Sequence, residues 1–442
     1  MNRLSMSEAP VSRLYLSYLL PTVIAMVSNS LYCLADVYFI SIGSGTLGLA
    51  AVNIVMPMYT LYSCIGLLFG VGASTIIAIE RGAGHEQRAD QAFSMSVAAV
   101  VISGSLLMVL SLLFIEPLAR LLGSSEQLLP YVIEYLRPVA VFTPAFIAMY
   151  AAGILIRCDH APRLVMGAML TGNLSNIVLD YVFVIVFGWG LTGAAAATAL
   201  SPMITLVITA FHFILKRNQL HFCRFAMDGA LFRRMLSNGA GSGVLELSAG
   251  VIIFVFNAVI LAVSDEVFLA AYAIVANIAY VLKGLFGAFG QAAQPIISHN
   301  YGAGDMRRVK QTLRIALISS LLFALALYAL CLFFPTQLAA FFANHDRAVI
   351  ALGAAGIVLY FSSLPFSALN TVIMYYFQSI EQGRCATLLA LLKGTLFAFI
   401  GMALLYALFQ ENGIWLTITS TCLSLISTPC CLYTRCTSLS RY

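Results

Sequence analysis

Charge is what this sequence has least of. Asp, Glu, Lys and Arg make up 9% of its 442 residues, against roughly 25% in an ordinary soluble domain, and this excludes a water-facing globular fold for most of the chain. Long polar stretches are missing as well. The longest interruption, residues 216–234, is linker-sized and leaves no room for a separate soluble domain. No lysine is followed by Ser or Thr, so no Walker A site is encoded, and with it goes the nucleotide site of an ATP-driven pump. His-Glu-x-x-His does not occur and the 6 histidines are scattered; the chain is expected to be no enzyme and to use no cofactor. The 10 cysteines lie in apolar runs or on one side of them, which implies no disulfide framework. Cys430, Cys431 and Cys436 cluster near the C-terminus without the ligand spacing of a metal site.

What is present is apolar. Hydrophobic residues are 61% of the chain and the mean hydropathy is +0.95. A hydrocarbon core about 30 Å thick needs roughly 20 apolar residues per helix, and twelve such runs follow one another: 14–40, 48–79, 93–115, 128–156, 164–187, 191–215, 235–263, 268–298, 309–334, 349–378, 385–409 and 414–432. The expected fold is therefore all-α and polytopic. The first run follows Arg3 and Arg13 as a signal peptide would, but its length, Pro21 and Asp36 mark it as a retained helix. With both termini placed in the cytoplasm, nearly every Arg and Lys outside the runs falls on that side, Arg120 and Arg347 excepted, as the positive-inside rule requires. The net charge of +5 thus reflects topology, not a nucleic-acid partner.

The sequence is also duplicated. Phe69-Gly70 and Gly82-Ala83-Gly84 return as Phe289-Gly290 and Gly302-Ala303-Gly304, and Ala73, Ile76, Ile77, Arg88 and Gln91 match Ala293, Ile296, Ile297, Arg308 and Gln311. Pro144 matches Pro365. Each copy holds an even number of runs, so the two share one orientation. The expectation is two parallel six-helix bundles, residues 1–215 and 235–442, joined by a cytoplasmic linker at 216–234. In transporters, repeats related by an axis along the membrane normal leave a substrate path between halves that rock against each other.

Charges inside apolar runs locate the chemistry, because a carboxylate in hydrocarbon is costly and by default marks an ion, proton or substrate path. Asp36 lies in the first run, Asp180 in the fifth and Thr198 in the sixth. Counting residues from the run ends puts all three in one layer. Asn176 precedes Asp180 by one turn and projects from the same face. Two carboxylates close together in a low dielectric do not readily ionise together. The oxygen set Asp36, Asn176, Asp180 and Thr198 suits Na+ and equally a proton shared between the acids. Pro21 leaves a carbonyl unpaired in the helix of Asp36 and is a candidate hinge. Glu246, in the seventh run behind the small-residue patch Gly239-Ala240-Gly241-Ser242-Gly243, is a separate candidate proton or substrate site. Lys283 and Lys393 are placed to balance it, and Glu134 and Arg137 are spaced as a structural ion pair.

Together these features resemble the multidrug and toxic compound extrusion (MATE) family: the two parallel halves, the aspartate after a proline in the first helix, the Asn176-Asp180 pair, Thr198, and the stretch Gln294-Pro295-Ile296-Ile297 with Asn300-Tyr301-Gly302-Ala303-Gly304. The resemblance implies a V-shaped carrier of the plasma membrane, in contact with membrane lipid and functioning as a monomer. Such a carrier exports organic cations or drugs in exchange for H+ or Na+, by rocking two lobes around a central cavity. It further implies that Asp36, Asn176, Asp180 and Thr198 form the N-lobe coupling site, that Pro21 is the bend of the first helix, and that Glu246 is the seventh-helix acid of some members. The tenth run, 349–378, holds no carboxylate, a departure from some sodium-coupled members that shifts the expected coupling to the N-lobe. The alternative is a lipid-linked oligosaccharide flippase of the same superfamily, which needs a cationic cavity and has only Lys283, Lys393 and Arg137 to supply it.

Overall fold

A helix of 72 residues is too long to cross a membrane once. α1, Val11–Gly82, would extend about 110 Å at 1.5 Å per residue, more than three hydrocarbon thicknesses. Its backbone leaves helical geometry at a single interior position, Gly45, where φ is 61° and ψ is −155°. Only glycine reaches such angles without steric cost, so α1 is two spans turned at Gly45, in the gap between the first two apolar runs. The computed structural model describes residues 6–224, 228–264, 266–342, 347–392, 397–410 and 412–423. Lys393, Cys430, Cys431 and Cys436 lie outside the described residues, as does the side chain of Lys283.

After α1 come α2 Glu86–Leu113, α3 Ile115–Leu121, α4 Leu129–Val141, α5 Thr143–Cys158, α6 Pro162–Asp180 with a π-helical continuation Tyr181–Val186, and α7 Gly190–Ile214. The second half runs through α8 Gly229–Val263, α9 Glu266–Gly302, α10 Met306–Phe333, α11 Pro335–Phe342, α12 Arg347–Phe361, α13 Leu364–Ser379, α14 Gly383–Leu391 and α15 Phe397–Phe409, and is helical again over 412–423. No strand occurs among the described residues. Six helices among them are long and apolar enough to cross a membrane by themselves, and the bent pairs α4 with α5 and α12 with α13 raise this to eight. The second leg of α1, the 35-residue α8, α14 with α15, and the segment 412–423 correspond to the remaining four of the twelve expected crossings.

The duplication is visible in the geometry. α4 and α5 meet at 54°, and α12 and α13 at 45°. Both bends fall at the matched prolines Pro144 and Pro365, each in the first turn of the helix it opens, where its ring cannot donate to the carbonyl of the preceding turn. Gly84 and Gly304, also matched, have φ of 82° and 76°, a left-handed geometry that costs an ordinary L-residue about 1–2 kcal/mol. α1 passes Pro21, by contrast, without any departure from helical angles.

The chain forms two compact units, Met1–Gly239 with Ser298–Gly304, and Ala240–Ile297 with Asp305–Tyr442. In the first, α1 packs on α2, α4, α5, α6 and α7, and α6 lies along α7. Its apolar core includes Ile40, Val52, Val55, Ile76, Val132, Leu136 and Ile147. In the second, α13 packs on α10 and α14, and α12 on α10 and α11. Cys33, Cys64, Cys158, Cys223, Cys331 and Cys422 are free.

Candidate coupling site

Three helices of the first unit bring the candidate residues together. Asp36 comes from the first leg of α1, Asn176 and Asp180 from the last turns of α6, and Thr198 from α7. Their relative exposures are 6%, 0%, 0% and 2%, so all four are cut off from solvent. The Thr198 hydroxyl donates to Asp36 Oδ1 at 3.0 Å. The surrounding donors and acceptors fix the Asn176 amide in the orientation that donates to Asp180 Oδ2 at 2.9 Å and accepts from the Thr198 backbone N–H at 3.3 Å.

The α6–α7 contact that sets this register is made of small and hydroxyl residues. Ser201 donates to the Gly172 carbonyl at 2.9 Å and Thr205 to its own Ser201 carbonyl at 3.2 Å, which lets the backbones approach closely. Immediately beyond Asp180 the helix widens into the π-helical turn, a distortion often found at functional positions.

The cluster is not self-satisfied. The Asp36 and Asp180 side chains reach each other, yet as carboxylates both only accept hydrogen bonds. Asp180 Oδ1 is buried with no donor. A buried acceptor of this kind costs about 1–3 kcal/mol, and more when charged. A proton held between the acids, or a hard cation on the oxygens, supplies what is missing.

Sequence reasoning missed the phenols around this cluster. Tyr135 of α4 is buried near Asp36, and its hydroxyl meets that of Tyr59 at 3.1 Å. Tyr59 packs edge-on to Phe146 at 5.3 Å, and Tyr62 stacks on the same ring at 5.6 Å. No sequence signal singles these residues out, because tyrosine is common in apolar runs and the contacts join different helices.

A second buried acid was also missed. Asp159, between α5 and α6, accepts from Arg81 at 3.0 Å, from His212 Nε2 at 2.7 Å, from the Gln219 N–H at 2.9 Å and from the Leu220 N–H at 3.1 Å. Burial alone would raise its carboxyl, but His212, the Gln219 backbone and Arg81 hold it below the ordinary aspartate range. The same knot straps the start of the 216–234 segment to the first unit: the His221 N–H donates to Asp90 at 2.9 Å and the Cys223 N–H to Ser94 at 3.0 Å, while Phe222 packs on Phe93 at 4.9 Å. Nearby Glu80 is likewise held low despite burial, by Arg234 and His85.

The other candidates fall elsewhere. Glu246 lies on α8 in the second unit, half-buried rather than fully buried, and is not without a partner. Pro21 is buried in α1, fifteen residues before Asp36. The expected Glu134–Arg137 ion pair does not form: both are exposed, and Glu134 instead accepts from Thr192 of α7 at 2.6 Å. An i, i+3 pair at a helix surface gains only a few tenths of a kcal/mol, too little to outweigh a well-placed hydroxyl.

A duplicated, all-helical protein with apolar spans and two buried carboxylates in one half, one of them short of a donor, has the architecture of a membrane transporter. Known proteins agree. The family profile MatE matches residues 21–182 and again 245–408, one match in each half. The chain therefore belongs to the MatE, or multidrug and toxic compound extrusion, family. It is 28% identical to a FAD transporter of Shewanella oneidensis over 82% of this chain and 83% of that protein. It is 24% identical to the multidrug export protein MepA of Staphylococcus haemolyticus over 92% and 90%. Its fold superimposes with a TM-score of 0.93 on an outward-facing multidrug resistance MATE family transporter of the MOP superfamily, at 22% identity and covering 100% of this chain and 99% of the other. These relatives are transporters, not enzymes, and the chain is a multi-pass membrane protein of an exporter family.

Proposed function

We propose that the protein is a secondary active antiporter that exports organic, often cationic and lipophilic, compounds in exchange for H+ or Na+. One observation carries this reading: Asp180 Oδ1 is buried without a donor beside the Asp36 carboxyl. The pair is most stable when it holds a proton or a hard cation, and the oxygens of Asp36, Asn176, Asp180 and Thr198 suit either. Coupling then follows from linkage. A substrate that favours the ion-free state of the carrier expels the ion, and the ion by the same factor expels the substrate. Asp36 rides on the helix of Pro21, which cannot hydrogen-bond back to the Ser17 carbonyl, so that turn is the softest point through which the state of the acid can bend the helix. Glu246 is a second proton or substrate site in the other lobe.

The lobes are residues 1–215 and 235–442, with 216–234 a cytoplasmic linker. The arginine distribution supports cytoplasmic termini in a plasma-membrane protein that works as a monomer among lipids. MepA as a relative supports drugs and organic cations as substrates. The FAD transporter at 28% identity supports a second reading, export of a flavin dinucleotide. A lipid-linked oligosaccharide flippase is favoured less, since Arg137 is exposed on α4 and the buried ionisable groups of the cluster are acids.

The test is efflux from proteoliposomes, with a lipophilic cation and FAD as substrates, under imposed H+ or Na+ gradients. Wild type is expected to move one of them with one gradient, and Asp36→Asn to lose that coupling. No gradient-driven efflux of either compound by wild type would overturn the antiporter reading.

A further inference from the structure

The chain after α7 is not helical, yet it is held in place. α7 ends where Lys216 takes a left-handed φ of 51° and the Arg217 N–H donates back to the His212 carbonyl at 3.0 Å. The segment then crosses the end of the first unit on four backbone donors, Gln219 and Leu220 to Asp159, His221 to Asp90 and Cys223 to Ser94. Phe222 is wedged between two helices, its ring 4.9 Å from Phe93 of α2 and 5.7 Å from Phe213 of α7. It is nevertheless 64% exposed. The ring continues the outward apolar stripe of α7, where Met203, Val207, Phe211 and Ile214 are all exposed and recur every three to four residues as one helix face. In a helix long and apolar enough to cross a membrane, that face meets lipid.

Cations flank the ring along the chain: Lys216, Arg217 and Arg224 are exposed. The acids that this segment meets are already engaged. Asp159 is the buried acceptor of the knot, Asp90 accepts from His221, and Asp228 accepts from the Ala230 and Leu231 N–H groups at 2.9 and 3.2 Å.

We propose that the strap 216–224 is a binding site for an anionic phospholipid, with Phe222 against the upper acyl chain and Lys216, Arg217 and Arg224 on the phosphate. Aromatic rings beside basic side chains anchor at the boundary between headgroups and acyl chains, and clustered cations just outside a crossing helix favour anionic lipid. A soluble phosphate would use the cations and leave the ring uncovered. A zwitterionic lipid would cover the ring and offer the cations no net charge. Only an anionic lipid matches both. The strap also differs from an ordinary basic loop in being ordered before any lipid arrives, so little further freedom is lost on binding. The inference goes beyond the transport reading and stands or falls without it.

The test measures fluorescent phosphatidylglycerol bound to the purified protein in mixed micelles, with phosphatidylglycerol, phosphatidylcholine and inorganic phosphate as competitors in separate arms. Four proteins are compared: wild type, the triple variant Lys216→Gln/Arg217→Gln/Arg224→Gln, Phe222→Ser, and Arg307→Gln/Lys310→Gln/Arg314→Gln, which removes three exposed charges from α10. Wild type is expected to prefer phosphatidylglycerol over phosphatidylcholine at least about tenfold, and the strap triple variant to lose that preference. Phe222→Ser is expected to weaken both lipids by about threefold or more while keeping their ratio. The α10 variant is expected to behave as wild type. Unchanged melting in phosphatidylcholine micelles shows that the exposed-residue variants remain folded. A preference that survives in the strap variant, or an equal loss in the α10 variant, overturns the site. Displacement by inorganic phosphate as effective as by phosphatidylglycerol, or unweakened lipid binding by Phe222→Ser, overturns its assignment to a lipid.

Discussion

Asp159 and Asp180 are both buried aspartates of the same unit, and they are solvated in opposite ways. Asp159 accepts from an arginine, a histidine and two backbone amides. Asp180 has one side-chain amide on Oδ2 and nothing on Oδ1. An acid with every lone pair engaged is locked in its charged form and serves the fold. An acid short of donors beside another acid is stable only with a further positive charge, so it can change state. Burial alone, then, does not distinguish the two; the number of donors each carboxylate meets does.

This contrast can be broken at either end. The largest effect is expected at the unsatisfied pair, where Asp180→Asn or Asp36→Asn lowers gradient-driven efflux by at least about tenfold, a change of about 1.4 kcal/mol in the barrier, while the melting temperature in detergent stays at or above that of wild type. Asp159→Ala should do the reverse. It strands Arg81 and the Gln219 and Leu220 amides, costs about 3 kcal/mol of stability as a broken buried pair does, and leaves efflux per folded molecule unchanged.

Acid gives a smaller effect with a definite sign. The folded-state carboxyl of Asp159 lies below its ordinary value, so its contribution is present above about pH 3.9 and is lost as pH falls through the lower folded value. Melting temperature should therefore drop on acidification below about pH 4, and less so in Asp159→Ala. Glu126→Gln provides the floor. Its ion pair with Arg120 is exposed, and thermal melts should register no change.

How much of this was legible in the sequence depended on how rare each signal is. Apolar runs of helical length are unmistakable, and even the Gly45 turn fell in a gap between two of them. Pro144 and Pro365 were recognised as a repeat pair, yet their bends lay hidden inside runs that read as unbroken. Asp36, Asn176, Asp180 and Thr198 were found because polar groups are scarce in such runs and residue counting gives depth. Tyr59 and Tyr135 were not, since a phenol is ordinary there and only the tertiary fold joins the first, fourth and seventh helices. Asp159 escaped for a related reason: an acid between arginines in a loop looks solvated until the 216–224 strap is seen to cover it. Spacing also misled, as it did for Glu134, which Thr192 claims.

The most direct test of the central claim is counter-ion movement driven by substrate. Proteoliposomes holding wild type, Asp36→Asn or Asp159→Ala are given a substrate gradient with no ion gradient, and H+ or Na+ flux is read per folded molecule. The account predicts ion flux for wild type and Asp159→Ala and none for Asp36→Asn. Undiminished ion flux through Asp36→Asn, or its loss in folded Asp159→Ala, would contradict it.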